Sequence, residues 1–192
     1  MEYKESLITM TIQDLLVLQE LTDIIKIKQE LIDIKNAELE FNDNHYEFLY
    51  LLSYFMKPKV VVELGTHHGV SMLYLIEGYN EAQFYTVDIN PEAGVFLKNT
   101  KTRIIIGDSA ECADKIPNDI DLLFEDTDHQ YSTLAREFKA YLPKMSEGGV
   151  MLFDDMSSCS GAKRWWSDLK YSTKVDLNKL HVGCGMTAII KV

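Results

Sequence analysis

The stretch VVVELGTHHGVS, residues 60–71, runs three β-branched apolar residues into an acid, and then into two glycines that bracket a pair of histidines. Val60–Val62 have the side chains of a buried strand. Gly65 and Gly69 let the backbone turn and come close to a ligand, and Val70 and Ser71 open a helix-like stretch whose first N–H groups are free to meet it. In open α/β sheets ligands bind outside the carboxyl ends of the strands, near the switch in strand order, so this loop is expected to hold a cofactor. It is not the dinucleotide fingerprint GxGxxG, because the sequence reads G-T-H-H-G, nor a P-loop, because no GK[ST] follows. Glu63, at the end of the strand, repels phosphate and favours a cationic or hydroxyl-bearing ligand.

Outward from this stretch the chain alternates. Strand-like runs occur at 59–64, 83–89, 102–108, 120–126 and 149–155, separated by helix-compatible stretches such as SMLYLIEGY, SAECADKI and YSTLAREFKAYLPKM. This alternation predicts a Rossmann-like, mostly parallel α/β sheet with helices on both faces. After the fifth run come a helix (GAKRWWSDLKY), a short strand (TKVDL) and a last apolar run (GMTAIIKV). Only NKLHVGC joins the final two strands, too little for a crossover, so they are expected to pair antiparallel. Ahead of the sheet, residues 11–35 have helical periodicity, with Thr11 and Asp14 as a capping pair and Leu18, Leu21, Ile25 and Ile32 as a stripe. A second helix, roughly 43–56, stops before Pro58. Residues 1–42 are thus expected to form a helical cap or oligomer segment, consistent with a homodimer, and residues 43–192 the main domain.

The chain has 192 residues, 46% of them hydrophobic, enough for one sizeable core. A formal net charge of -11 argues against nucleic acid and anionic membrane surfaces as partners. A small-molecule partner is expected instead. No signal-like start and no apolar run of about 18 residues is present, which makes a cytoplasmic location the expectation. Cys112, Cys159 and Cys184 have no CxxC spacing and read as ordinary thiols.

The remaining candidates sit at strand ends. Asp88, with Ile89 beside it, occupies the acidic position that accepts hydrogen bonds from ribose hydroxyls in nucleoside-binding sheets. Gly107, Asp108 and Ser109 follow the third strand, placed to meet an adenine ring. Asp126 ends the fourth and Asp154 and Asp155 the fifth. Three neighbouring carboxylates repel one another, which raises pKa values or calls for a cation such as Mg²⁺. Otherwise Asp154 or Asp155 caps the following turn, and Asp126 or Asp128 the next helix. Glu125 adds a ligand or faces solvent. His129 is the side chain suited to take a proton near neutral pH, or else a turn histidine.

VVELGTHHGVS, YTVDIN, GDSAE, DLLFEDTDHQY and GGVMLFDD, in this order, resemble the motifs of class I S-adenosylmethionine-dependent methyltransferases. More narrowly, the pairing of FEDTDHQY with GGVMLFDD resembles small-molecule O-methyltransferases of the methyltransferase 24 group. The resemblance covers roughly residues 45–192 and implies a seven-stranded sheet with an antiparallel last strand. It implies S-adenosylmethionine as cofactor, with Gly65, Thr66 and Gly69 near its methionine part, Asp88 on the ribose, and Asp108 and Ser109 at the adenine. Glu63, His67, Ser71, Ile89, Gly107 and Asp126 join that cofactor set. In the resembling enzymes the positions matching Asp126, Asp154 and Asp155 bind a divalent ion that holds the acceptor hydroxyl. The expectation is therefore metal-assisted O-methylation of a sugar, phenol or natural product, with His129 and Asp126 catalytic. The alternatives are a metal-independent methyltransferase and a non-catalytic adenosyl-binding scaffold. Trp165 or Trp166 is expected to wall the acceptor pocket, the other to lie in the core. The first 45 residues and loop 156–163 are expected to supply the rest of that pocket.

Overall fold

The computed structural model describes residues 10–22, 27–38, 45–177 and 184–192. The strands are β1 (Val60–Leu64), β2 (Gln83–Asp88), β3 (Arg103–Ile106), β4 (Ile120–Glu125), β5 (Met145–Phe153), β6 (Lys174–Asp176) and β7 (Thr187–Ile190). They form one sheet in the order β3-β2-β1-β4-β5-β7-β6. The first five pair parallel, and β7 runs antiparallel to both β5 and β6, as the short connection required.

The helices are α1 (Ile12–Leu21), α2 (Gln29–Glu38), α3 (His45–Met56), α4 (Val70–Gly78), α5 (Tyr131–Tyr141) and α6 (Ser160–Asp168). Strand alternation divides the core. Val61 points towards Phe48, Leu52, Met72 and Leu75 of α3 and α4, whereas Val60, Val62 and Leu64 join Leu134, Tyr141, Ala162 and Trp165 of α5 and α6. Burial on both faces explains why these strands read as continuous apolar runs rather than alternating ones.

Some elements differ from the sequence expectation. The single helix over 11–35 is two, α1 and α2, with Ile27 and Lys28 outside both. At the end of α1 the Thr22 hydroxyl donates to the Gln19 carbonyl at 2.9 Å. The Thr11–Asp14 capping box does form. SAECADKI yields only a 3-10 turn, Glu111–Lys115, and β5 begins at Met145 rather than 149 because Met145 pairs with Ile120 across a register shift. Residues 43 and 44 of the second expected helix, Ile25 of the stripe, and 178–183 of the expected turn lie outside the described residues. No helix among the described residues is long and apolar enough to cross a membrane.

β2 and β3 extend the sheet to one side of β1, and β4 and β5 to the other. The switch in strand order therefore falls between β1 and β4, where the backbone N–H of Asp126 donates to the Leu64 carbonyl at 2.8 Å. Gly65 has φ +89°, and a Cβ there would run into the carbonyl oxygen of Asp126. Only glycine lets the two loops close over this point.

Candidate active site

A cleft of about 370 Å³ opens at the switch point, within the size range of small-molecule sites. Gly65, His67, Asp88, Ile89, Gly107, Asp108, Ser109 and Asp126 of the expected cofactor set line it. Glu63, Thr66, Gly69 and Ser71 do not, and form the layer beneath. Glu63 is fully buried: its carboxylate accepts from Ser71 Oγ and, at 2.6 Å, from Thr86 Oγ1, which also meets Thr66 Oγ1 at 2.6 Å. Burial outweighs these bonds and pushes the Glu63 pKa up to about 7. Its expected role of facing the ligand is thus corrected to fastening the loop to the sheet. Gly69 packs on Leu97, which occupies the space of any Cβ.

Asp88 is engaged by the loop on both oxygens, from the amides of His67 and Asn90, each at 2.8 Å. Carboxylate oxygens accept more than one bond each, so it retains capacity for hydroxyls. The neighbouring Ile89 is 78% exposed on the cleft wall, an apolar surface suited to a flat ring. At the far end Asp108 is held by Arg136 in a two-pronged ion pair at 2.8 and 3.3 Å. That hydrogen bonding keeps its pKa below the ordinary carboxylate value. Ser109 Oγ donates to Glu137, and the Ser109 carbonyl accepts from Tyr141 at 2.8 Å.

Glu125 neither adds a ligand nor faces solvent. It is fully buried and accepts from Thr127 Oγ1 at 2.5 Å and Thr127 N at 3.0 Å. Burial first, and the charge of nearby Glu137 second, push its pKa well up. Strand geometry explains the difference: Glu125 is the last residue of β4, and its side chain turns into the sheet layer while Asp126 turns to the cleft.

The catalytic candidates do converge. His129 Nε2 lies 3.7 Å from Asp126 Oδ1 and 3.4 Å from Asp155 Oδ2, with the imidazole only 12% exposed. His129 Nδ1 is buried with no hydrogen-bond partner among the described residues. Withdrawal from water, followed by the charges of Asp154 and Asp155, drives the Asp126 pKa well above the carboxylate range, although a third of its side chain still faces the cleft. Asp128 accepts from Gln130 N at 3.0 Å and Thr133 Oγ1 at 3.0 Å in a turn just ahead of α5, whose N-cap is Gln130 without a side-chain cap, so Asp128 does not cap the helix as the alternative reading had it.

The expected three-carboxylate metal site is not assembled. Asp154 is buried and faces His45, whose Nε2 is 4.0 Å from Asp154 Oδ2. Among the described residues no group of three or more His, Cys, Asp or Glu side chains is arranged to hold a metal ion. The residues present therefore do not fit that ion in this arrangement.

Sequence reasoning missed His45, Arg136, Thr127 and Thr133. Arg136 and Thr133 lie one helical turn apart on α5, a spacing that could have flagged them once α5 was placed over the cleft. Neither tryptophan lines the cleft: Trp165 is core against Phe153 and Phe138, and Trp166 carries the Lys174 ammonium 4.2 Å from its ring centre.

Residues 62–156 match a family model described as a methyltransferase domain. An uncharacterized protein of Acanthamoeba polyphaga mimivirus is 30% identical over 110 residues, covering 49% of this chain and 50% of that protein. The chain spans half or less of the length of the curated relatives it matches. Among solved structures, an O-methyltransferase from Bacillus cereus in complex with SAH superposes with a TM-score of 0.65 at 18% identity, covering 94% of this chain and 100% of that one. A putative caffeoyl-CoA O-methyltransferase from Staphylococcus aureus gives 0.69 at 16% identity, covering 92% and 98%. At these identities the likeness is one of fold.

Proposed function

We propose that this chain, whose residues 62–156 match a methyltransferase-domain model, is a class I S-adenosylmethionine-dependent methyltransferase that methylates a hydroxyl of a small molecule, such as a sugar, a phenol or a natural product. The observation that carries this reading is the position of His129, set between Asp126 and Asp155 at the edge of the cleft.

The lining residues suit the cofactor. Four aspartates (Asp88, Asp108, Asp126, Asp128) face one arginine around the cleft, a balance that favours a cationic, hydroxyl-bearing ligand over a diphosphate. Ile89 offers an apolar face for the adenine, Asp88 accepts from the ribose hydroxyls, and Gly65 lets the chain pass close to the methionine part. Bound there, the cofactor supplies a methyl carbon on a positively charged sulfur.

His129 Nε2 takes the proton of the acceptor hydroxyl, freeing an oxygen lone pair for the methyl carbon. Asp155, the nearer of the two acids, stabilises the resulting imidazolium, and Asp126 and Asp155 together flank its ring. Orientation and electrostatics lower the barrier.

A second reading, divalent-metal assistance, is favoured by one observation: the charges of Asp154 and Asp155 crowd Asp126, and a cation would relieve that crowding.

The function is tested by incubating the protein with methyl-labelled S-adenosylmethionine and a panel of sugars and phenols. Label in an acceptor, lost in His129→Ala, supports the proposal. Saturable S-adenosylhomocysteine binding without label transfer to any acceptor favours the non-catalytic scaffold.

A further inference from the structure

The hydroxyls of Ser109, Thr127 and Thr133 line the cleft, and each donates its one proton to a carboxylate. Ser109 Oγ donates to Glu137 Oε1, and the other oxygen of that carboxylate lies 3.3 Å from Thr127 Oγ1. Thr127 Oγ1 donates at 2.5 Å to Glu125 Oε1, which also takes the Thr127 amide. Thr133 Oγ1 donates at 3.0 Å to Asp128. Glu125 and Glu137 do not line the cleft and are 0% and 2% exposed, so the Ser109 and Thr127 protons point into the protein.

A hydroxyl has one proton to give and two lone pairs. Once the proton is committed, it meets a ligand as an acceptor. Asp108 and Asp128 add carboxylate oxygens to the same wall, and the Arg136 guanidinium is turned onto Asp108. Helix α5 sets this arrangement with successive side chains: Arg136 holds Asp108, Glu137 holds the Ser109 hydroxyl, and Tyr141 holds the Ser109 carbonyl at 2.8 Å. We propose that Glu137 is a positioning residue that determines specificity: by drawing the Ser109 proton inward it leaves an acceptor facing the purine, and so selects the 6-amino ring of the cofactor over a 6-oxo ring. A 6-amino group donates to such a wall. A 6-oxo group sets lone pairs against lone pairs and leaves the wall's acceptors unpaired. Glu137 acts through Ser109 and Thr127 and does not itself reach the cleft. The inference rests on reading the cleft as an S-adenosylmethionine site.

The test is calorimetric binding of S-adenosylhomocysteine and of its 6-oxo analogue, S-inosylhomocysteine, to the full chain, as wild type and as Glu137→Met. It is run at pH 8, because burial pushes the Glu137 pKa up to about 7 and above that value the carboxylate only accepts. Wild type should prefer the amino form by at least about 30-fold, the order expected when a site built to pair with an amino group meets a ligand lacking it. Glu137→Met, close in length but unable to hold the Ser109 proton, lets that hydroxyl turn to the cleft. The preference should then fall by about five-fold or more, with the 6-oxo ligand bound more tightly than by wild type. A purely structural role would weaken both ligands alike and leave their ratio unchanged, and that outcome overturns the proposal. A wild-type preference below about three-fold overturns it too, a comparison that stands even if Glu137→Met does not fold. Binding of neither ligand to wild type would sink the functional reading and the proposal with it, whereas equal binding of both sinks the proposal alone.

Discussion

His129 and Asp155 meet with 3.4 Å between Nε2 and Oδ2, and both have left-handed backbones, at φ +54° and +53°. Neither is glycine, and such conformations cost on the order of 1–3 kcal/mol each and persist where the surroundings enforce them. The two residues face each other beside Asp126, where His129 and Asp155 are set by the loops that follow β4 and β5. Replacing His129 by Ala is expected to lower kcat by about 10²–10⁴-fold, the range for a general base. S-adenosylhomocysteine affinity should stay within about two-fold, since the imidazole is assigned to the acceptor and not to the cofactor. Steady-state kinetics paired with a binding isotherm separates the two effects.

Asp88 has two tasks, accepting the amides of His67 and Asn90 and presenting oxygens to the cleft. Asp88→Ala should weaken S-adenosylhomocysteine binding by about 10–100-fold, as expected for hydrogen bonds to a charged group worth roughly 1.5–3 kcal/mol. Because the loop loses its anchor as well, Asp88→Asn should recover part of the affinity. Unchanged binding in the alanine variant would remove Asp88 from the cofactor site.

The buried carboxyls make stability depend on pH. Glu63 has a folded pKa of about 7 against an ordinary value of 4.5. The folded state then holds a proton that the unfolded state has released, so the stability contributed is full below pH 4.5 and is lost as pH rises through 7. A shift of this size corresponds to about 3 kcal/mol. Glu137, also raised to about 7 and mainly by burial, acts in the same window. Urea unfolding should show wild type less stable at pH 8 than at pH 5, and Glu63→Gln should flatten that decline. A wild type whose stability rises across this interval would contradict the assignment.

Much of this architecture was legible because local chemistry and global position agree. Val60–Leu64 reads as a doubly buried strand and is one, and Gly65 is where two loops cross. Asp88, Asp126 and Asp155 lie just where strands hand over to loops, so order along the chain sufficed to bring them to one edge. Glu125 was misread because one residue of register decides whether an acid faces cleft or core. His45 was invisible for another reason: it precedes an aromatic run, and only the packing of α3 against the sheet end brings it to Asp154. The unbroken helix over 11–35 failed at Ile27 and Lys28, which lie outside both helices although the apolar periodicity runs through them.

With His129 taking the acceptor proton, methyl transfer should persist in EDTA at no less than about half its rate in Mg²⁺. Removal of a catalytic metal typically costs orders of magnitude, because the ion stabilises charge in the transition state. Activity abolished by chelation and restored by Mg²⁺ would favour the metal-assisted form.

The most direct measurement is a calorimetric titration of the purified chain with S-adenosylhomocysteine, run once with Mg²⁺ and once with EDTA. Saturable binding near one per chain in both conditions, weakened in Asp88→Ala, is the expected result and would establish the nucleoside site at the β1–β4 switch. No binding in either condition would contradict the cofactor assignment, and with it the methyltransferase reading of the cleft.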